Sequence, residues 1–295
     1  MRDGLPPRFV GQPPRSKERQ QRHKDPEVKR KEKKKISKAR KRGYIVTKFV
    51  GITRSFMHFF SVPKGGNDIR MVYEGSRSGL NDVLWAPLFA LPTVTSMCCT
   101  IGVGYWCADN DFGELREYCG VDISQLYPEE WSQNKDNPLT RAWTRSAMGF
   151  CPSPYQAVQG ALRAKRVAPG DRHNEKNVFA WSTVELNLPG SSCYDPAWPW
   201  ISNRRADRRI ASYIHLYVND NRETAATQEL AWRASSQMAK TCAWLGLQDA
   251  AWKRREPSVH PGAWAGSVVH VEDDAVYKLV IQERWDKTKA KIDWI

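Results

Sequence analysis

The chain has 295 residues, 41% of them hydrophobic, and 13 tryptophans, which excludes a disordered protein and allows one or two domains with a sizeable core. Its formal charge of +14 sits at one end: residues 1–42 hold 17 Lys and Arg against 5 Asp and Glu, and the remainder carries +2. The longest apolar stretch, Val83 to Val94, is broken by Pro87 and Pro92 and is too short to span a bilayer.

In chain order, Met1 to Arg15 is rich in Pro and Arg and reads as disordered. Ser16 to Arg42 is a Lys, Arg, Gln and Glu run with almost no apolar residues, at most transiently helical and without a face to bury. Residues 1–42 are therefore expected to be a solvated basic tail that attracts nucleic acid, and residues 43–295 the folded body. Ile45-Val46, Phe49-Val50 and Phe56 to Val62 read as short strands. Lys64-Gly65-Gly66-Asn67-Asp68 is a turn signal before the strand Ile69 to Tyr73, so the pair predicts a β-hairpin. Trp106-Cys107-Ala108 is an apolar run that delivers Asp109 and Asp111 to its end. Ser153 to Arg166 predicts a helix with Ser153 at the N-cap and Pro154 at the first position.

Further on, Ile210 to Val218 predicts a strand ending in Asn219-Asp220. Thr224 to Leu245 has helical composition closed by Gly246. Ala263 to Val271 and Ala275 to Ile281 predict a hairpin across Glu272-Asp273-Asp274, and Trp285 to Ile295 a helix. Helices interspersed with mostly antiparallel strands give an α+β class. Met1 to Pro7 lacks the apolar segment of a secretory signal, and the seven cysteines form no CxxC pair. Free thiols in an intracellular setting, cytoplasmic or nuclear, are the expectation.

Acids from distant segments, gathered at strand ends, are how two-metal phosphoryl-transfer sites are built, because each divalent ion needs carboxylate oxygens. Asp109, Asp111 and Glu114 form one such cluster and Asn219-Asp220 the other. Taken in order, the segments resemble the fingers and palm motifs of retroelement reverse transcriptases. Phe59 to Val72 is similar to the fingers hairpin, with Lys64 and Arg70 in the places that hold the incoming triphosphate. Ser78-Gly79-Leu80-Asn81 resembles the stretch that follows it. Ala108 to Glu114 resembles the first palm motif, with Asp111 as metal ligand. Gly149, Ser153 and Pro154 match the Gly-x-x-x-Ser-Pro motif that supports template and primer. Tyr217-Val218-Asn219-Asp220 is similar to the Tyr-x-Asp-Asp box. Leu245-Gly246 with Lys253 resembles the motif whose Lys protonates pyrophosphate, and Trp264-Ala265-Gly266 the primer-grip strand.

The resemblance implies an antiparallel palm sheet with helices on one face and a small fingers part. It implies RNA-directed DNA polymerisation with Mg²⁺, two ions held by Asp111 and Asp220, and an RNA or DNA template-primer with dNTPs as partners. No membrane is involved. Read from the residues, Lys64 and Arg70 could equally be hairpin-solubilising charges, Lys253 part of a solvated basic patch and Trp264 a packing residue. Three departures bear on activity. Asn219 stands where the family has a metal-binding Asp, and an amide lacks the negative charge that a hard cation needs; Asp109 could partly substitute. The stretch Leu115 to Gly120 is shorter than the family pattern and lacks its aromatic residue. The resemblance ends at Trp294-Ile295, so a thumb is expected to be absent. An impaired polymerase, a non-catalytic nucleic-acid binder and a decayed product are the readings that follow.

Overall fold

The computed structural model describes residues 8–14, 23–49, 58–65, 67–91, 100–102, 104–113, 139–144, 149–260, 262–271 and 276–293. Its chain forms two compact units, Met1–Phe89 with Glu114–Ala157 and Ala90–Gly113 with Val158–Ile295. Every strand pairing in the described residues is antiparallel, and helices accompany the sheets in both units, in agreement with the α+β class. Glu114 and the stretch after it, the Met148 end of the Ser-Pro motif and the Glu272-Asp273-Asp274 turn lie outside the described residues.

In the first unit, α1 (Pro26–Lys41) starts at Asp25, whose carboxylate accepts from the Glu27 amide at 2.8 Å, with Pro26 in the first turn. This differs from the expected solvated tail. Glu32, Ile36 and Ala39 recur at spacings of four and three, which stacks them on one side, and that side is buried. Ile36 is 2% exposed in a core with Phe59, Tyr73, Leu80 and Phe150. The Glu32 carboxylate is satisfied there by the Ser61 hydroxyl at 2.7 Å. Residues 8–14 are not disordered either: Phe9 bridges Leu84, and the Arg8 carbonyl accepts from the Trp85 amide at 2.8 Å. In both segments one large apolar side chain, diluted among charges and prolines, carries the docking.

Strand β1 (Ile45–Phe49) pairs with β5 (Leu139–Trp143). The predicted hairpin is present as β2 (His58–Lys64) and β3 (Asp68–Glu74). Phe59, Ile69 and Tyr73 face inward, whereas Lys64 and Arg70 are exposed on the opposite face, since cross-strand partners share a side. Asn81, in the short helix α2 (Leu80–Val83), accepts from the Cys151 amide at 3.0 Å and donates to the Gly149 carbonyl at 3.0 Å. Gly149 has φ +112°, and a Cβ there would meet the Tyr73 carbonyl oxygen far inside van der Waals contact, so only glycine fits. Helix α3 (Pro152–Val167) begins one residue before the expected cap, which places Ser153 and Pro154 in its first turn, where a proline breaks no helical hydrogen bond.

In the second unit, β4 (Trp106–Gly113) is the central strand. It pairs with β9 (Asp220–Ala225) on one edge and with β10 (Gln248–Asp249) and β11 (Arg255–Ser258) on the other; β8 (Tyr213–Tyr217) follows β9. β6 (Thr183–Leu186) and β7 (Ile201–Arg204) form a separate pair. Helix α4 (Gln228–Leu245) lies on β4 and β9, burying Ala231, Ala234, Met238 and Cys242. Its N-cap is Thr227, whose hydroxyl accepts from the Leu230 amide at 3.3 Å, and Gly246 at φ +81° ends it as expected. The predicted start at Thr224 is corrected, because Thr224 and Ala225 belong to β9. A three-stranded sheet of β12 (Ala263–Trp264), β13 (Ser267–Val271) and β14 (Val276–Val280) precedes α5 (Gln282–Ile292). No disulfide joins the four described cysteines, and no helix among the described residues is long and apolar enough to cross a membrane.

Candidate acidic site

Alternation along β4 turns Asp109 and Asp111 to one face of the sheet and Asn110 to the other, where its amide donates to the Ser235 hydroxyl of α4 at 2.8 Å. Register then decides who meets the acids. Asp109 lies opposite Arg222, Asn110 opposite Asn221 and Asp111 opposite Asp220. The acids from two distant segments therefore share one end of a β4–β9 ladder. The loop joining β8 to β9 is only Val218-Asn219.

Asp111 is occupied on both oxygens. The Asn219 amide donates to Oδ1 at 2.6 Å and to the Phe112 carbonyl at 2.9 Å, and the Lys253 ammonium pairs with Oδ2. Lys253 arrives on a single 3-10 turn, Ala251–Lys253, pinned by the Ala250 amide donating to the Asp111 carbonyl at 2.9 Å. Asp109 is held in a fork by Arg222, at 2.7 Å from Nε and 2.9 Å from Nη2, and lies 3.5 Å from the Arg255 guanidinium. Arg222 is fully buried, and its guanidinium lies over the Trp264 ring at 5.2 Å. Asp220 has no ion pair among the described residues. Burial, and then the Asp111 charge, push its carboxyl up to about 6.

Asp109, Asp111, Asp220, Lys253 and Arg255 line a cleft of about 460 Å³ walled by Trp264, Gly266 and Ile281, with Arg222 buried behind Asp109. Its three carboxylates face three cations, Arg222, Lys253 and Arg255, so the cleft carries little net charge. No group of three His, Cys, Asp or Glu among the described residues has the arrangement of a metal cage.

Seven residues singled out from the sequence thus converge: Asp109, Asp111, Asn219, Asp220, Lys253, Trp264 and Gly266. Lys64, Arg70, Gly149, Ser153 and Pro154 belong to the first unit or to the first turn of α3. Trp264 is 7% exposed and packs against Tyr217 and Ala265, as a wall residue does. Asp109, a candidate ligand by sequence, is engaged by a partner that sequence reasoning missed. Arg222 sits in Asp220-Asn221-Arg222-Glu223-Thr224, which has no apolar alternation to mark it as a strand. The usable signal was the two-residue spacing shared by Asp109-x-Asp111 and Asp220-x-Arg222, which sets each acid of β4 opposite a charged residue of β9.

Two further features were not foreseen. Behind the acids, Glu223 is fully buried and burial pushes its carboxyl up to about 8. The amides of Asn110 (3.1 Å) and Asn221 donate to it. In the turn, Val218 adopts φ +57°, a left-handed conformation that a β-branched residue rarely takes. The first central position of a two-residue hairpin loop favours glycine when φ is positive. Val218→Gly is therefore expected to raise stability by about 1–2 kcal/mol, read as a higher Tm. A lower Tm would mean that the valine side chain packs more strongly than the backbone is strained.

No family model matches the sequence, and no curated protein matches it. Solved structures do. The foamy viral protease-reverse transcriptase in complex with double-stranded DNA is matched at 13% identity and a TM-score of 0.58, over 97% of this chain and 48% of that one. Its dRH form with double-stranded DNA gives the same identity and TM-score over 96% and 41%. The native prototype foamy virus protein gives 13% and 0.50 over 90% and 28%. At such identity the likeness establishes a reverse-transcriptase-like fold, and the chain spans less than half the length of the structures it matches.

Proposed function

We propose that this chain is a nucleic-acid-binding protein on a reverse-transcriptase fold, descended from an RNA-directed DNA polymerase, whose nucleotidyl-transfer site is impaired. The observation that carries this reading is the pairing of Asp111 with Asp220 at the end of the β4–β9 ladder, with the Lys253 ammonium on Asp111. Similar structures hold double-stranded DNA, which supports nucleic acid as the partner class. In this reading the exposed Lys64 and Arg70 are the residues for a nucleotide triphosphate, and Gly149, Ser153, Pro154, Trp264 and Gly266 support an RNA or DNA template-primer.

Two Mg²⁺ ions do not fit the donor set as it is arranged. Asp111 has both oxygens engaged, Asp109 is forked by Arg222, and Asn219 turns an N–H towards Asp111 where a second carboxylate would serve a cation. Of the described acids of the cleft, Asp220 alone offers a carboxylate outside an ion pair, and burial raises its pKa to about 6. Internal cations here neutralise the acids that metals would otherwise bridge, so non-catalytic binding is favoured over polymerisation.

Asn219→Asp tests the reading. It adds one carboxylate beside Asp111 and removes the amide that holds Asp111, so Mg²⁺ binding measured by titration calorimetry is expected to tighten at least tenfold, on the order of the gain from one added charge in a partly buried site. Primer extension on an RNA template is expected to stay inefficient, since Lys253 and Arg222 still hold their acids. Unchanged metal binding would show that these acids are not a metal site. Efficient extension would show that Asn219 is the sole lesion.

A further inference from the structure

We propose that α1 is a fixed phosphate-tracking helix: its solvent side, carrying Lys29, Lys33, Lys34, Lys38 and Lys41, binds the backbone of a nucleic-acid duplex. This deepens the nucleic-acid reading above and rests on it. The helix does not belong to a loose tail. Ile36 and Ala39 are in the core of the first unit, Glu32 holds Ser61, and two lysines are spent on the β2–β3 turn, where Lys31 donates to the Asn67 side chain at 2.7 Å and Lys35 pairs with Asp68 at 2.9 Å. Those contacts fix the rotation of α1, and so determine which lysines face water.

The five exposed lysines are spread over a helix about 24 Å long at 1.5 Å per residue. A duplex of that length presents roughly 14 phosphate charges, one per ~1.7 Å. Among the acids of the helix, Glu27 pairs with Arg30 and Lys31 at the N-terminal end, and Glu32 is buried, so no carboxylate interrupts the row from Lys33 to Lys41.

The same geometry disfavours two other anionic partners. A membrane-surface helix needs an apolar face to sink into the acyl boundary, and here Ile36 and Ala39, the apolar residues of the central and last turns, are already turned into the protein. A protein interface draws its energy from apolar and aromatic anchors, and the solvent side of α1 has none between Lys29 and Lys41. Exposed cations along the helix without an apolar anchor suit a polyanion.

The test uses the full chain with Lys33, Lys34, Lys38 and Lys41 changed together to Gln, which keeps helix propensity. Binding to a 20-base-pair RNA–DNA hybrid of arbitrary sequence is measured across a salt series, beside the all-Arg version of the same four positions. The Gln variant is expected to lose on the order of 100-fold or more in affinity at 0.1 M salt, and its slope of log K on log salt to flatten by about 3 to 4. The Arg variant is expected to keep both, which separates charge from helix stability. An unchanged slope in a Gln variant of native circular dichroism would overturn the proposal while leaving the nucleic-acid reading intact. Tighter binding of the wild-type chain to phosphatidylserine vesicles than to the hybrid would overturn it in favour of a lipid surface. A wild-type chain that binds no duplex at all would overturn the broader reading with it.

Discussion

Arg222→Met is expected to destabilise the second unit by about 3–5 kcal/mol, the usual cost of stripping a buried charge of its partner. The methionine nearly fills the space of the stem but leaves the Asp109 carboxylate, whose side chain is 10% exposed, with only the half-exposed Arg255 guanidinium at 3.5 Å. The cation over the Trp264 ring is lost as well. Urea unfolding read by tryptophan fluorescence measures the change. The double variant Asp109→Leu with Arg222→Met is expected to recover most of it, because two well-packed apolar side chains need no counter-charge. A double variant as unstable as the single one would show that the ion pair itself, and not the stranded charge, sets the stability.

Glu223→Gln is expected to remove a pH-dependent weakness. Burial raises the Glu223 carboxyl from the ordinary 4.5 to about 8, so the folded chain holds a proton that the unfolded chain has released. Below about pH 4.5 both states are protonated and the group contributes nothing. As pH rises from there towards 8 the unfolded state is increasingly favoured, and above 8 the full penalty, on the order of 4–5 kcal/mol, is present. Glutamine has no proton to lose, so the variant is expected to be the more stable form at pH 8.5, the gap closing towards pH 5. The amide can be accommodated. Asn110 and Asn221 donate to the carboxylate while the buried Oδ1 of Asn221 has no partner; Asn110 is held by its bond to Ser235, and turning the Asn221 amide over presents an acceptor to the new N–H. Parallel Tm profiles from pH 5 to 9 would rule the mechanism out. His215 gives the opposite limb. Its imidazole is fully buried and held neutral, pushed down to about 3 by burial and then by Lys165 and Arg222, so its contribution is lost progressively as pH falls below about 6.5.

What could be read from the sequence followed from the clarity of its periodicity. The β2–β3 hairpin was legible because a glycine-bearing turn separates two β-branched and aromatic runs, and its inward Phe59, Ile69 and Tyr73 alternate with outward Lys64 and Arg70. The acids of β4 were legible as the polar end of an apolar run. Strand β9 was not, because its buried positions include Asn221, Arg222, Glu223 and Thr224, which bond to one another or to Asp109, Asn110 and His215 of the neighbouring strands and carry no hydrophobic signature. Nor was α1, where Ile36 is the one large aliphatic side chain of the inward side and the lysines around it outweigh it in any window average. The start of α4 was misplaced for a related reason: Thr224 and Ala225 are compatible with either state, and pairing with Cys107 and Trp106 of β4 and with Tyr213 of β8 makes them a strand.

The central position of β4 has a consequence for how the molecule is made. Its partners come from far along the chain: Asp111 meets Asn219 108 residues later and Lys253 142 residues later. On a ribosome that releases the chain from its N-terminus, β4 emerges long before either neighbour, with the amides and carbonyls of both edges unanswered. The β8–β9 hairpin can form locally and then dock, since its loop is two residues long, but β10 and β11 must still arrive from beyond α4. Such non-local pairing folds slowly and leaves strand edges open to other chains in the interval. The acidic cleft is therefore among the last parts of the second unit to be assembled, and a chain interrupted before Lys253 would carry its acids on a sheet with one edge exposed.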